Sequence, residues 1–160
     1  MCIRDRLAER GDPKAFSFPV ALRKPGNLDF SFSGLKTALY YVLRDMAAEE
    51  RQERAADLAA AYRAAAVEAL VSKLFAAARV EGVETIAVAG GVAANSLLRR
   101  RLEVEGREAG FRVVVPGLRY CTDNAAMIGA AALAGPQLPF PDYLGLEASA
   151  SLALGQLPAW

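Results

Sequence analysis

The chain contains no histidine. That absence removes every Ser/His and Cys/His catalytic pair and most zinc sites, all of which depend on an imidazole. Cysteine is scarce: Cys2 and Cys121, far apart in the sequence, cannot build the disulfide framework of a small secreted domain and suit a reducing compartment. No apolar run reaches the length of a membrane span, and the opening MCIRDRLAERGDP lacks the apolar core of a signal peptide. The chain therefore reads as cytoplasmic, with no membrane partner. An excess of one charge is missing too. Its 19 basic and 18 acidic residues leave a formal charge of +1, so no global field points to nucleic acid and any such contact must be local. Internal repeats and low-complexity tracts are absent apart from one alanine-rich stretch.

What is present fits one globular domain. The 160 residues, 54% of them hydrophobic, can bury a core but are few for an enzyme with two lobes around a cleft. In NLDFSFSGLKTALYYVLRDM, Leu28, Phe30 and Phe32 alternate with Asp29 and Ser31, which predicts a strand with one buried face. Ser33 follows at an N-cap position, with Leu35, Leu39, Val42, Leu43 and Met46 at helical spacing. The proline- and glycine-containing GDPKAFSFPVALRKPGN before it predicts a loop covering a neighbour, and the mixed charges of residues 44–57 predict a solvated helix end and connection. From Leu58 to Arg79 a long helix carries one apolar stripe of Val67, Leu70, Val71, Leu74, Phe75 and Ala78. A buried strand over Thr85 to Ala89 then enters Gly90-Gly91 and a helix bearing Leu97, Leu98 and Leu102 that Gly110 stops. FRVVVPGLRY predicts a second apolar strand, and CTDNAAMIGAAALAG a last helix capped by Thr122 or Asp123 and ended by Gly135-Pro136. No element is expected from Gln137 to Trp160. Strands alternating with helices indicate a layered α/β domain.

Four positions stand out chemically, and each has a plain structural explanation. Gly90-Gly91, at a strand-to-helix turn, either serves close packing or lets a phosphate or nucleoside approach unpaired N–H groups. Asn95 is an ordinary cap or surface residue, or a ligand-facing carboxamide with donor and acceptor. Asp123 either caps a helix or offers a carboxylate at a strand's carboxyl end, the edge where open α/β sheets bind ligands. Cys121 is by default a small buried side chain, Ser33 a cap, Lys36 an exposed first-turn residue, and Arg99, Arg100 and Arg101 a solvated face rather than an RNA contact.

LDFSFSGLKTA, VAGGVAANSLLRRRL and CTDNAAMIGAAA, in this order, resemble the C-terminal half of the tRNA N6-adenosine threonylcarbamoyltransferases, the TsaD family of the actin/hexokinase-like superfamily. The resemblance runs from about Leu7 to Gly145, leaving a 1–6 leader, a 7–145 lobe and a 146–160 tail. It implies a truncated α/β lobe of the actin-like ATPase, ribonuclease H-like type. It also implies transfer of the threonylcarbamoyl group from threonylcarbamoyl-AMP to N6 of the adenosine 3′ of the anticodon in tRNAs reading codons that start with A. By the same resemblance Asn95 contacts the adenylate, Gly90-Gly91 form the turn over which the nucleotide lies, and Asp123 is one ligand of a divalent metal ion, iron in the usual assignment. TsaB-like and TsaE-like subunits are the implied bacterial partners. Ser33, Gly34 and Lys36 belong to a family motif with no role carried over.

The chain departs from the family pattern at both ends and in its metal ligands; in the tail, ASASLALG replaces a basic, Trp-containing stretch, which argues against a tRNA contact there. The histidines of the upstream H-x-x-x-H motif, which complete the metal site, are absent, as is the N-terminal lobe. MCIRDR stands where the family has a glycine-rich GGP-like segment and reads as a truncation or assembly boundary. The expectation is a C-terminal lobe not competent alone. Two other readings compete: a nucleotide-binding fragment of another actin-like kinase or ATPase, and a non-catalytic TsaB-like partner subunit. DFSFSGLK argues against the first, and Asn95 with Asp123 against the second.

Overall fold

A computed structural model describes residues 3–22, 24, 26–135 and 137–145, which fall into two compact units, 1–122 and 123–160. The first is organised around one helix. Helix α1 (Ile3–Ala8) precedes a long loop, after which come α2 (Ser33–Asp45), α3 (Ala48–Glu53) and α4 (Ala55–Val80). Strand β1 (Thr85–Ala87) leads through a 3-10 turn at Gly91–Ala94 into α5 (Ser96–Glu108) and then β2 (Arg112–Val114).

Alanine carries the least helical penalty of any residue, and α4 is rich in it. Its amino-terminal half buries Ala60, Ala61 and Ala65, small side chains against which α1 packs with Ala8 buried. Its carboxyl-terminal half carries the expected stripe: Val67, Val71, Phe75 and Ala78 form the core with Ile86 of β1 and Leu98 and Leu102 of α5. Phe75 stacks on Phe111 with ring centroids 5.6 Å apart. β1 and β2 pair in parallel, Ile86 opposite Val113, with α5 as the crossover such a pair requires. α5 ends where Gly110 takes φ +78, with Phe111 N–H donating to Gly106 O and Gly110 N–H to Arg107 O, a Schellman closure.

The loop before α2 covers α4 as expected. Phe18 meets Tyr62 edge-on at 5.9 Å, and the Arg54 guanidinium lies 4.2 Å from the Phe16 ring centroid. The buried Lys73 ammonium donates to Leu22 O, Asn27 O and Asn27 Oδ1, so all three of its protons are engaged.

Several expectations need correction. Residues 28–32 are not a strand: among the described residues the sheet has two strands, and this segment has no ladder neighbour. Alternation supplies a buried face, but a strand also needs a partner for its N–H and C=O groups. The layered sheet expected from the sequence is accordingly a helix-rich α/β arrangement with a small parallel pair. Ser33 does not cap α2. It is already helical, the cap position is Phe32 with no side-chain bond, and Ser33 O accepts from Thr37 Oγ1. The charged connection at 44–57 is itself helical, as α3 and the start of α4, with no residue of α3 buried. β1 stops at Ala87, although Val88 N–H still donates to Val114 O.

In the second unit, α6 (Ala125–Ala134) is followed by a 3-10 turn at Asp142–Gly145. Asn124 caps α6, its Oδ1 accepting from Met127 N–H at 3.1 Å, so neither Thr122 nor Asp123 is the cap. Gly135 ends α6 as expected, and the tail 146–160 lies outside the described residues. No described helix is long and apolar enough to cross a membrane.

Candidate functional site

The two glycines after β1 do different things. Gly90 has φ +81 and ψ 179, a conformation open in practice to glycine alone, and it starts the 3-10 turn. Gly91 has no such backbone, and a Cβ built on it would meet nothing within 4 Å. The backbone conformation of the turn therefore explains the first glycine, and neither conformation nor close packing explains the second.

Gly91, Val92, Ala94 and Asn95 line a cavity of about 750 Å³. Its apolar wall includes Leu39 and Leu43 of α2 and Leu58, Tyr62 and Leu70 of α4. Polar groups converge on one side, where Asp5 and Arg63 join Asn95. An apolar cleft with a few convergent polar groups is the usual form of a small-molecule site. It lies beyond the carboxyl end of β1, as open α/β sheets favour.

Asn95 is the N-cap of α5, its Oδ1 accepting from Leu98 N–H at 3.0 Å. Its Nδ2 donates to Asp5 Oδ1 at 3.0 Å, and Ser96 N–H donates to Asp5 Oδ2 at 3.3 Å. Asn95 is thus a cap and a cavity residue at once. One N–H and one lone pair of its carboxamide remain, enough for a single donor–acceptor pair on a base edge or a ribose.

Asp5 and Arg63 were not singled out by sequence reasoning. The Asp5 side chain is 6% exposed and that of Arg63 13%, and they pair at 3.0 Å. Arg63 also donates to Asp5 O and Ala8 O, while its Nε is shut off from solvent without an acceptor. A buried donor left unmade costs about 1–3 kcal/mol, so this guanidinium is held by its other bonds. One signal was legible: an arginine on the otherwise alanine-rich half of α4 needs a counter-charge.

The basic triplet on α5 is structural at two of its three positions. Arg99 donates to Ala93 O, Pro116 O and the buried Cys121 Sγ, at 2.5, 2.6 and 3.0 Å, tying the Gly91 turn to the segment after β2. Arg101 donates to Glu105 and to Glu68 of α4, and these hydrogen bonds, led by Glu105, raise its pKa further. Arg100 is exposed.

Gly91 and Asn95 thus share a cavity wall with Gly90 as the hinge before them. Asp123 is the first residue of the second unit, is exposed, and does not cap α6. No group of three His, Cys, Asp or Glu side chains that could hold a metal ion occurs among the described residues. The donors present therefore do not by themselves fit the metal implied by the resemblance, a mononuclear site normally drawing at least three protein ligands.

The TsaD model, described as tRNA N6-adenosine threonylcarbamoyltransferase, matches residues 1–130. The chain belongs to the TsaD family. TsaD relatives bearing that enzyme's name include one from Clostridium beijerinckii, 41% identical over 152 residues, which are 95% of this chain and 45% of the relative. A second, from Syntrophotalea carbinolica, is 47% identical over 127 residues, 79% of this chain and 37% of the relative. A third, from Geobacter metallireducens, is 40% identical over 156 residues, 98% of this chain and 43% of the relative. The chain thus spans less than half the length of the TsaD relatives it matches.

Proposed function

We propose that this chain supplies one wall of the adenylate site of a threonylcarbamoyltransferase, within an actin-like lobe. The observation that carries the reading is Gly91: neither backbone nor packing demands a glycine there, and it faces a cavity shared with Asn95. Threonylcarbamoyl-AMP would lie over the Gly90-Gly91 turn with Asn95 fixing its nucleoside. The other wall would come from the length of the relatives that this chain does not span. In the reaction, N6 of the tRNA adenosine attacks the carbamoyl carbon. A C–N bond forms, the bond from that carbon to the phosphate oxygen breaks, AMP leaves, and N6 loses a proton. An exocyclic amine is a poor nucleophile and the mixed anhydride a good electrophile, so holding both in register is the enzyme's main task.

Gly90, Gly91 and Asn95 serve that positioning and supply no general base. The resemblance alone supports Asp123 as an iron ligand in the longer enzyme. It likewise supports a cytoplasmic location, tRNA as acceptor and TsaB-like and TsaE-like partners. Half a site binds weakly, and AMP is expected to bind this chain no better than about millimolar, each tenfold being about 1.4 kcal/mol. In an AMP titration followed by amide NMR, shifts should concentrate at residues 89–96. Gly91→Val should abolish them with the melting temperature unchanged, since a Cβ there meets nothing within 4 Å. Shifts that survive Gly91→Val, or that cluster at Ser33 to Lys36, overturn the reading.

A further inference from the structure

Asn95 can present its carboxamide to the cavity in two ways, amide nitrogen or carbonyl oxygen outward, and a ligand distinguishes them because one donates and the other accepts. Two bonds choose between them. Leu98 N–H requires Oδ1 on its side, and the Asp5 carboxylate, which only accepts when ionised, requires Nδ2 on its own. The first bond is a local consequence of the helix start. The second depends on a residue 90 positions away and on whatever holds that residue in place.

Arg63 holds it. Its Nη1 donates to both Asp5 Oδ1 and Asp5 O, and its Nη2 donates to Ala8 O, so one planar fork grips the side chain and the backbone of α1 together. The grip settles where the carboxylate stands, in a place where it is 6% exposed. We infer that Arg63 is a positioning residue for the cavity: through Asp5 it sets the direction of the Asn95 carboxamide and so decides which hydrogen-bond partner a bound nucleoside must offer. Without Arg63 the Asp5 carboxylate loses its counter-charge and α1 loses a tie at Ala8 O, so the Ser96 N–H bond is what still holds the carboxylate near Asn95. The Asn95–Asp5 bond then loosens, and the carboxamide is aimed into the cavity less narrowly by the Leu98 bond that remains.

This inference rests on the adenylate reading for its ligand but not for its geometry, and the experiment separates the two. The 160-residue chain is compared with Arg63→Gln, Asp5→Asn and the double variant by 15N NMR and AMP titration, with melting curves confirming that each is folded. In either single variant, the paired Asn95 side-chain NH₂ signals should move toward those of a free carboxamide. Leu98 amide exchange should rise about tenfold, while Ile86 and Val114 amides stay protected. AMP affinity should fall about tenfold in each single variant and no further in the double, because the two residues act in one chain of bonds. Arg63→Lys, which keeps the charge and loses the fork, should shift the same signals part of the way and replaces the glutamine variant if that one unfolds. Unmoved Asn95 signals in folded Arg63→Gln or Arg63→Lys overturn the inference. So do losses of AMP affinity that multiply in the double variant. A native chain that fails to bind AMP sinks the adenylate reading, and the Asn95 and Leu98 signals then decide the role of Arg63.

Discussion

At the scale of single residues, a helix start accepts one capping side chain, and α6 takes Asn124. Asn124→Ala should lower the stability of the second unit by about 1 kcal/mol, whereas Asp123→Ala should change it by less than about 0.5 kcal/mol. Thermal unfolding by circular dichroism, with near-equal losses from the two variants as the contrary result, checks this. Thr122, Asp123 and Asn124 are all competent caps, and a one-residue difference in where the chain turns helical selects among them. The same limit applied at Ser33, a competent cap that lies one residue inside α2. At Asn95 the amide oxygen caps the helix while the nitrogen donates to Asp5, in a residue that also lines the cavity.

Elements here are placed by what their neighbours leave room for. α5 crosses from β1 to β2 with Gly106 against Val113, and a methyl group at Gly106 would run into the Val113 side chain. Gly106→Ala should therefore cost about 1–3 kcal/mol by overpacking, despite alanine's better helix propensity. Gly34, in the first turn of α2, is the control: a Cβ there meets nothing within 4 Å, and Gly34→Ala should stabilise by up to about 1 kcal/mol. Urea unfolding of both variants reads the two signs, and two shifts of the same sign would contradict the assignment. At the end of α2 the exposed Arg44 hydrogen-bonds Asp45 and holds its carboxyl below the usual carboxylate range. Any contribution from that pair is present above about pH 4 and is lost as acid protonates Asp45.

Taken whole, the molecule has a cavity but, among its described residues, no cluster of three donors for a metal ion. The chain offers no histidine, and among its described residues Asp123 belongs to no group of three potential metal ligands. After purification and dialysis the chain should retain no stoichiometric iron or zinc by elemental analysis. One equivalent of tightly held metal would show that donors outside the described residues complete a site.

The sequence by itself determined the family, through three motifs in order, and the elements whose pattern is local: the stripe of α4, the strands around Ile86 and Val113, and the stop at Gly110. These are legible because a helical or alternating period and a glycine at positive φ need no knowledge of the rest of the chain. It also marked Gly90, Gly91 and Asn95 as positions of interest without separating packing from binding. Only the tertiary structure divided the glycines, since φ +81 at Gly90 and open space at Gly91 are properties of surroundings rather than of residue type. Residues 28–32 show the converse limit, because a strand needs a partner that the segment itself cannot name. The partnership of Asp5 with Arg63 lay beyond sequence reading for a simpler reason. Their pairing spans 58 positions, and only the packing of α1 on α4 brings an arginine among alanines to the carboxylate that orients Asn95.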